Sequence, residues 1–563
     1  MSTEFSARTR SNNIQTLKTQ RFDILIIGGG IVGAGLIRDL ALNGGIKVGL
    51  IEQGDFANGT SSATSQLVHG GFRYLLKRDI DLVKKSRKER EILRRIAPNL
   101  VKPMPIALLN YRGDPYPLTG IQLAAHYYNR LFEADEAEKT VVIREKQKVR
   151  QLVGPIATDG LKGCVLLWDS TVDDARLTLA TLKDAHRHGA IVANYVRFLD
   201  FVTQSDTVAE DRMFGITAED VISGQRFGIT ARKIVSATGP WSDEIWRKDP
   251  SYDGMPRLLT EKAKGVHLIL PRCGKQNDSE AYGLIVCTRS EKQRKRNPRV
   301  IFILPGGYET SIVGTTETTP KEALASVRPS ADEATYLLSE TQRIFPEKTL
   351  NRDAIVAAYA GTRPLIAANL HKRGLTRTGF VSREHLITES PSGVMYLYGG
   401  KLTTHRQMAE ETGDYLAAFL NVPRHCKTDT CLLSDASGQK PNGNRNHHLL
   451  PNADVERLIE RYGDGYQMIQ RFVNDDVALA EPVSPALPFT KAELLYAYWG
   501  EMAMTLDDLL WRRTRIGWTR GQGLDIAPQI ARFLGEKYNW DQARIAAEVE
   551  VYRQHIRWLN SNL

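Results

Sequence analysis

A glycine-rich turn near the start of the chain has the spacing needed to approach an anion. The stretch from Phe22 to Glu52 reads FDILIIGGGIVGAGLIRDLALNGGIKVGLIE, with Gly28, Gly30 and Gly33 between an apolar strand and a helix. In this spacing the first glycine allows a tight turn, the second lets the backbone approach a pyrophosphate, and the third lets the helix pack on the strand. Glu52 follows the second strand, where a carboxylate can accept hydrogen bonds from a ribose. The unit therefore predicts a dinucleotide site.

The turn alone does not decide between a nicotinamide and a flavin dinucleotide, but the loop after it favours flavin. Residues 53–76 read QGDFANGTSSATSQLVHGGFRYLL, which is too rich in hydroxyls and glycine for a core strand. Each buried polar atom of a ligand needs a partner, and such a loop can supply hydroxyl and backbone N–H groups along an extended cofactor. We expect Thr60, Ser61, Ser62 and Ser65 to contribute to cofactor binding.

Two later glycine clusters repeat the pattern of a strand followed by a turn. One apolar strand ends in Ala-Thr-Gly-Pro-Trp around Gly239, and another leads through Gly399 and Gly400 into a helix. Glycine at a strand end allows the backbone to come close to a cofactor. The pattern resembles the second dinucleotide motif of two-dinucleotide-type flavoproteins. Because the three clusters are far apart in sequence, the dinucleotide domain must be discontinuous.

Ten short motifs, taken in chain order, resemble a known family. They are GGGIVGAG, TSSATSQLVHGGFRYL, VDDARL, ATGPW, KGVHLILP, IVGTTET, GTRPL, SREH, GGKLTTHR and EMAMTLDDLLWRRTRIG, and they span about residues 22–520. The chain resembles the FAD-dependent, respiratory-type glycerol-3-phosphate dehydrogenases. The resemblance implies FAD as cofactor and oxidation of sn-glycerol 3-phosphate to dihydroxyacetone phosphate, with hydride transfer from C2 to flavin N5. It also implies that the electrons pass to a quinone, or to oxygen in the related oxidases.

The resemblance implies a group of residues for the phosphorylated substrate. A phosphate dianion favours bidentate, permanently charged donors, which arginine provides, with lysine as a point charge. The substrate-binding residues implied in this way are Arg73, Tyr74, Arg363, Arg383 and Lys401. For any one of the arginines, a surface ion pair is the alternative.

Removing the proton of the 2-hydroxyl requires a group that titrates near the working pH. His69 and His267 are the two histidines inside matched motifs, so they are candidate catalytic residues together with Arg73 and Arg363. A hydrogen-bonded structural histidine is the alternative for either, and flanking arginines could instead lower the pKa of the hydroxyl itself. The sequence does not single out one base. The other histidines have no carboxylate or cysteine at ligand spacing, so no metal is predicted.

Three positions depart from the family's pattern. Gln66 stands where a basic residue is usual, Gly306 and Gly307 follow a proline where a tryptophan is often found, and His405 replaces a common tyrosine. These changes leave room for another polyol phosphate as the substrate. Two further alternatives are an amino-acid oxidase, which needs no phosphate cluster, and a nucleic-acid-modifying flavoprotein, suggested by the isoelectric point near 9.2. The chain offers no recognisable RNA-binding motif, so we expect no nucleic-acid partner.

The predicted fold class is α/β, in two or three domains, for a chain of 563 residues that is 42% hydrophobic. Residues 21–430 form the oxidoreductase region, with a discontinuous Rossmann-like FAD-binding domain and an antiparallel-sheet substrate domain. The predicted boundaries are a flexible N-terminal tail at 1–20, the FAD domain at about 21–110, 150–250 and 355–420, the inserted substrate domain at about 255–350, a linker at 431–454, and a helical C-terminal domain at 455–563. We expect the Trp511-Arg512-Arg513 run to make an inter-domain or dimer contact.

The chain contains no apolar run long enough for a transmembrane helix. Residues 116–135 carry apolar and aromatic residues at helical spacing, which suits either a bilayer interface or a core helix. The net charge of +10 fits an anionic lipid surface or a phosphorylated substrate. With the resemblance, we expect a cytoplasmic homodimer, peripherally associated with the inner face of the cytoplasmic membrane, that uses a quinone as its partner.

Overall fold

Two β-sheets and a group of C-terminal helices make up the computed structural model. The structure describes residues 4–71, 80–131, 138–202, 214–252, 260–275, 281–289, 299–366, 385–435 and 450–563. Its strands are β1 (Arg21–Ile27), β2 (Val48–Ile51), β3 (Leu67–Val68), β4 (Lys102–Tyr111), β5 (Val141–Ile143), β6 (Leu161–Thr171), β7 (Ile191–Ala193), β8 (Val196–Val202), β9 (Phe214–Asp220), β10 (Arg226–Ser236), β11 (Thr260–Pro271), β12 (Gly283–Cys287), β13 (Val300–Gly307), β14 (Thr310–Gly314), β15 (Ala357–Ile366), β16 (His385–Glu389) and β17 (Met395–Gly399). Its α-helices are α1 (Ala7–Thr19), α2 (Ile31–Asn43), α3 (Ile80–Ile96), α4 (Leu118–Leu131), α5 (Lys146–Val153), α6 (Asp174–Arg187), α7 (Ser242–Trp246), α8 (Ala331–Ile344), α9 (His405–Leu420), α10 (Asn452–Tyr462), α11 (Tyr466–Asp475), α12 (Lys491–Trp499), α13 (Ala527–Tyr538) and α14 (Gln542–Asn560).

The first sheet is the predicted Rossmann-like unit. Its order is β16-β17-β10-β1-β2-β7, with β8 and β9 joined to the edge of β10, and the strands from β17 to β7 run parallel. Every residue from Ile24 to Ile27 is buried. A strand in the middle of a parallel sheet has both faces covered, which is why its sequence is a continuous apolar run. The α/β fold class is confirmed.

The second sheet is mostly antiparallel, in the order β15-β11-β14-β13-β12-β4-β6-β3, with β5 on β6. Strands β11 to β14 come from the predicted inserted segment. Strands β3 to β6 and β15 come from segments that the sequence analysis assigned largely to the FAD domain, so those boundaries need correction. The boundaries were predicted from the glycine motifs, which locate only the first sheet. Strands β4 and β6 belong to the second sheet because of pairing with each other and with β12, which lies far away in sequence.

The N-terminal segment is a helix docked on the first sheet, so the predicted flexible tail is wrong. Ser6 caps α1 by accepting hydrogen bonds from the backbone N–H groups of Arg8 and Thr9. Leu17 is fully buried, and the buried guanidinium of Arg10 binds the carboxylate of Asp220. Composition could not reveal this docking, because polar side chains make a large part of the contact.

The C-terminal domain is helical, as predicted. Helices α10 to α12 pack around an aromatic and aliphatic core, and the buried residues of α13 and α14 join the core of the second sheet. Arg512 and Arg513 both bind Asp55 of the first sheet's loop within the same chain, which confirms the inter-domain alternative for that run. In the predicted linker, residues 436–449 lie outside the described residues, and Leu433 just before them is buried. A homodimer stays a prediction.

The segment at 116–135 forms α4 over the described part. Its buried face contains Leu118, Ile121 and Tyr128, which pack in the core of the second sheet. Leu123 and Tyr127 on the other face are 71% and 44% exposed. The core-helix prediction and the bilayer-interface prediction therefore both have support. One face of α4 packs in the core, and the other face exposes apolar side chains. Among the described residues, no helix has the length and apolar character required to cross a membrane.

Candidate active site

The first and second glycine motifs meet at the carboxyl ends of β1 and β10. Gly28 has a φ of 115°, and a Cβ atom on it would lie 2.6 Å from the carbonyl oxygen of Ala237. A Cβ atom on Gly33 would lie 2.0 Å from the carbonyl oxygen of Gly28. No side chain fits either place, so the turn depends on glycine for its conformation and for the close approach of α2.

Glu52 is held at the end of β2 by this same turn. Its Oε2 accepts a hydrogen bond of 2.7 Å from the N–H of Gly29, and its Oε1 accepts one of 2.9 Å from the N–H of Gly54. Burial raises the pKa of Glu52 above its usual value, and the two N–H donors oppose that rise. The carboxylate is fixed where a ribose hydroxyl could donate to it, because each oxygen can accept more than one hydrogen bond.

The N-terminus of α2 points its backbone N–H groups toward the same region. Gly30 is the cap residue and provides no side chain to close the helix end, while Ser61 Oγ accepts from the N–H of Ile31 at 2.9 Å. The first turn of a helix carries unsatisfied N–H groups and a partial positive charge, both of which suit a pyrophosphate. Together with the glycine turn and Glu52, this helix end fits the dinucleotide that the sequence predicts.

Four other residues predicted to bind the cofactor are Thr60, Ser62, Gly239 and Gly400, and each lies in a turn or loop next to a strand of one of the two sheets. Thr60 Oγ1 donates to the carbonyl of Thr362 at 2.6 Å, which ties the loop to β15. Ser62 is buried, and Gly239 follows β10 with a φ of 54°. A Cβ on Gly400 would lie 3.1 Å from Met408 Sδ, so the third glycine cluster packs directly on α9.

His267 lies in β11 and is 2% exposed. Its Nε2 shares a hydrogen bond of 2.8 Å with Ser65 Oγ, so the structure joins two of the predicted site residues. Its ring stacks on Tyr359, with 4.9 Å between the centroids. Burial, with a smaller contribution from the positive charge of Arg363, lowers the pKa of His267 to about 3. The imidazole is therefore neutral at ordinary pH.

Arg363 is brought next to His267 by strand pairing. Its Nη2 donates to Thr315 Oγ1 at 3.0 Å, and a Cβ on Gly265 would lie 2.8 Å from the same nitrogen. Gly265 thus leaves the space that the guanidinium occupies over β11. The result is a positive charge beside a neutral histidine at the edge of the second sheet that faces the cofactor loop.

Three of the predicted residues, Arg73, Tyr74 and Arg383, lie outside the described residues. His69 is half-buried and follows β3, and Lys401 is half-buried after β17. The roles that the resemblance implies for these five residues stay predictions.

Of the three departures from the family's pattern, the structure explains His405 but neither the side chain of Gln66 nor Gly307. His405 is buried, and its Nδ1 shares a hydrogen bond of 2.7 Å with the carbonyl of Leu402. A Cβ on Gly35 would lie 3.0 Å from its ring, so His405 packs α9 against α2. The backbone carbonyl of Gln66, which has a φ of 55°, accepts from the N–H of Val172. Nothing in the structure explains Gly307.

Sequence reasoning did not find the residues that hold the cofactor loop in place. Asp174 Oδ2 accepts from both the N–H and the Oγ1 of Thr64, at 2.9 and 2.7 Å. Tyr359 donates to the carbonyl of Thr64 at 2.9 Å. Asp174 belongs to the VDDARL motif, but a buried acid that binds a distant loop leaves no local spacing signal.

Comparison with known proteins places these features in context. The chain matches the FAD dependent oxidoreductase family over residues 23–412 and the C-terminal domain of alpha-glycerophosphate oxidase over residues 426–545. It is 31% identical to a mitochondrial glycerol-3-phosphate dehydrogenase of Bos taurus, over 97% of this chain and 75% of the relative. It is 31% identical to glycerol-3-phosphate dehydrogenase 2 of Mycobacterium tuberculosis, over 96% of this chain and 89% of the relative. The crystal structure of a glycerol-3-phosphate dehydrogenase from Bacillus halodurans, complexed with FAD, is similar with a TM-score of 0.75, 26% identity and 98% coverage of both chains.

Replacing Gly33 by alanine should abolish cofactor binding. The added Cβ would meet the carbonyl oxygen of Gly28 at 2.0 Å, so the turn would have to open. The flavin content of the purified variant, read from its visible absorbance, should fall close to zero. The matched control is Gly228→Ala in β10, where the nearest atom lies 3.8 Å away. Full flavin content in Gly33→Ala would contradict the assignment of this turn.

Replacing His267 by glutamine should make the free energy of unfolding fall less steeply as the pH is lowered. The pKa of His267 is about 3 in the folded protein, below its usual value, so the unfolded chain binds the proton more tightly. Stability due to this residue is therefore lost as the pH falls from about 6.5 toward 3. Between about pH 7 and pH 5, thermal unfolding of His267→Gln should shift less than that of the parent. The control is His126→Gln, because His126 is an exposed histidine on α4. If His267→Gln and the parent show the same pH dependence of thermal unfolding, His267 is not a buried neutral imidazole.

Proposed function

The chain belongs to the FAD-dependent glycerol-3-phosphate dehydrogenase family, and on this premise we propose that it oxidises sn-glycerol 3-phosphate to dihydroxyacetone phosphate. The observation that carries the proposal is the neutral, buried His267 with the guanidinium of Arg363 beside it. A hydroxyl proton and a phosphate dianion are the two groups of this substrate that need partners. A neutral imidazole and an arginine supply them.

The residues of the first sheet would hold the cofactor. Gly28, Gly30 and Gly33 leave room for the pyrophosphate at the start of α2, and Glu52 would accept from the ribose. Bound FAD supplies the two-electron acceptor for the hydrogen on C2 of the substrate. The loop from Thr60 to Ser65 lies between this cradle and the second sheet, so it can separate the reacting atoms from water.

We infer that His267 and Ser65 together accept the proton of the 2-hydroxyl. A histidine with a pKa of about 3 is a weak base, so it needs a change of environment to take a proton. A bound phosphate dianion provides that change, because a nearby negative charge favours the protonated imidazole. The arrival of the substrate would thus raise the pKa of His267 from its value in the free protein. His69 stays the alternative base.

We assign Arg363 to the phosphate group of the substrate. It is half-buried, and its Nη2 donates to the hydroxyl of Thr315. The assignment rests on the permanent charge and planar fork of a guanidinium, which suit a phosphate group. The resemblance supports Arg73, Arg383 and Lys401 as further phosphate ligands and Tyr74 as a substrate contact. An amino-acid oxidase would use only one arginine, for a carboxylate.

Substitution of Arg363 tests this assignment. In Arg363→Gln, kcat/KM for sn-glycerol 3-phosphate should fall about 10- to 100-fold, the loss expected for a hydrogen bond to a charged group. Competitive inhibition by inorganic phosphate should weaken in the same variant, and Arg363→Lys should recover part of both losses. The control is Arg352→Gln, an exposed arginine outside β15. Unchanged inhibition of Arg363→Gln by inorganic phosphate would show that Arg363 does not recognise the phosphate.

We further propose that the electrons pass to a membrane quinone and that the protein binds the inner face of the cytoplasmic membrane as a peripheral protein. The exposed apolar face of α4 supports this, since Leu123 and Tyr127 would enter the interfacial region of a bilayer. Their helix is anchored by its buried face in the second sheet.

Charge placed on that face should weaken membrane binding. Leu123→Glu combined with Tyr127→Glu should reduce co-sedimentation with vesicles that contain anionic lipid and reduce quinone reduction in those vesicles. Activity with a soluble electron acceptor should stay the same. Ile222→Glu, which changes an exposed apolar residue far from α4 in sequence, is the control. Unchanged sedimentation of the double variant would exclude α4 as the contact.

A further inference from the structure

Four side chains form a continuous stack that leads from the C-terminal domain to His267. The ring of His267 lies against Tyr359, at an interplanar angle of 13°. Tyr359 stacks on Trp518, with 4.7 Å between the centroids and an angle of 18°. The guanidinium of Arg515 lies 3.9 Å from the centroid of Trp518. We call these four residues the aromatic column.

The His267 ring is enclosed on its other side by backbone. A Cβ atom on Gly314, the partner of His267 in β14, would lie 2.2 Å from His267 Cδ2. The imidazole is therefore held between Gly314 and Tyr359, and one ring nitrogen bonds Ser65. Packing sets the plane of the imidazole. Because Gly314 is backbone, the imidazole can tilt only if Tyr359 moves.

Trp518 supports Tyr359 on the face opposite His267. Trp518, which is 4% exposed, fills the space on its far side, and Trp518 lies in the C-terminal domain about 160 residues later in the chain. The loss of the indole would leave a cavity next to Tyr359, and a cavity in a packed core lets its neighbours shift. The tyrosine would then move away from His267.

Arg515 connects the column to the loop that carries Ser65. Its Nη2 donates to Asp173 at 2.9 Å and to Asp174 at 2.7 Å. Asp174 also accepts two hydrogen bonds from Thr64, whose carbonyl accepts from the hydroxyl of Tyr359. Thr64 precedes Ser65 directly. The same cluster therefore fixes both partners of the Ser65–His267 hydrogen bond.

We propose that Trp518 and Arg515 are positioning residues for His267 and Ser65, so that the C-terminal domain completes the active site. This inference rests on the proposed function for the role of His267 in the reaction. Neither Trp518 nor Arg515 touches the reacting atoms. Their effect is transmitted through Tyr359 and Thr64 to the orientation of the imidazole.

The test uses the full-length, FAD-loaded protein with Trp518 replaced by leucine or by phenylalanine. Leucine removes the stack, whereas phenylalanine keeps an aromatic face against Tyr359. Trp540→Leu is the matched control, because Trp540 is a buried tryptophan of the same domain that also carries a stacked arginine, Arg544. Removal of Arg515 is less informative, because it would leave the buried carboxylate of Asp174 without its ion-pair partner.

Two readouts separate positioning from a general loss of structure. The first is steady-state kinetics with sn-glycerol 3-phosphate, with flavin content and thermal unfolding measured on each variant. In Trp518→Leu, kcat should fall about 10- to 100-fold while KM changes little, since a displaced catalytic group costs rate rather than substrate affinity. Trp518→Phe should recover most of the activity. Trp540→Leu should leave kcat unchanged even if its unfolding temperature falls.

The second readout needs no activity. Diethyl pyrocarbonate acylates accessible imidazole nitrogens, and peptide mass spectrometry identifies the modified histidine. His267 should be protected in the parent, in Trp518→Phe and in Trp540→Leu, and should react faster in Trp518→Leu. If His267 stays protected and kcat is unchanged in Trp518→Leu, the positioning role is wrong. If the parent shows no oxidation of sn-glycerol 3-phosphate, the proposed function fails, while the acylation result still decides whether the column holds the ring.

Discussion

Two buried carboxylates of the dinucleotide-binding region depend on arginines that the C-terminal domain provides. Asp55 is fully buried just after Glu52 and binds Arg512 and Arg513 at 2.7 Å each. Asp174 is fully buried at the start of α6 and binds Arg515. A buried charge that loses its partner costs several kcal/mol, typically about 3 to 5, so the two domains cannot separate without a large penalty. These ion pairs lower the pKa of Asp55, which keeps it charged.

This constraint explains how a site made of distant segments keeps one geometry. The first sheet provides the cofactor cradle, the second sheet provides His267 and Arg363, and the loop from Thr60 to Ser65 joins them. Asp174 holds that loop through Thr64, and Arg515 holds Asp174. Chemistry that needs a cofactor, a proton acceptor and a phosphate partner at fixed distances can tolerate little movement among these parts. The C-terminal helices therefore help to hold the loop of the proposed site in place.

Much of the first sheet could be predicted from sequence, because its signals are local. The spacing of Gly28, Gly30 and Gly33 and the position of Glu52 are set within one βαβ unit, and the structure agrees with them. The docking of α1 was missed, because buried Arg10 looks like a solvated residue when its partner Asp220 is 210 positions away. The strand β4 was misassigned for a similar reason, since pairing between distant strands has no local pattern.

In the candidate site, too, local motifs could be predicted from the sequence and contacts between distant segments could not. His267, Ser65 and Arg363 lie in recognisable motifs, so they could be named, but their mutual contacts depend on how β11, β15 and the loop pair in space. Tyr359 and Trp518 carried no signal at all, because an aromatic residue in a core strand or a helical domain is ordinary. Contacts between residues far apart in sequence leave no local pattern from which they could be predicted.

The most direct measurement is anaerobic titration of the FAD-loaded protein, followed by the visible absorbance of the flavin. We predict stoichiometric bleaching by sn-glycerol 3-phosphate and none by glycerol, erythritol phosphate or amino acids at the same concentration. Absence of bleaching by sn-glycerol 3-phosphate in protein that carries its flavin, or bleaching by an amino acid in its place, would contradict the account.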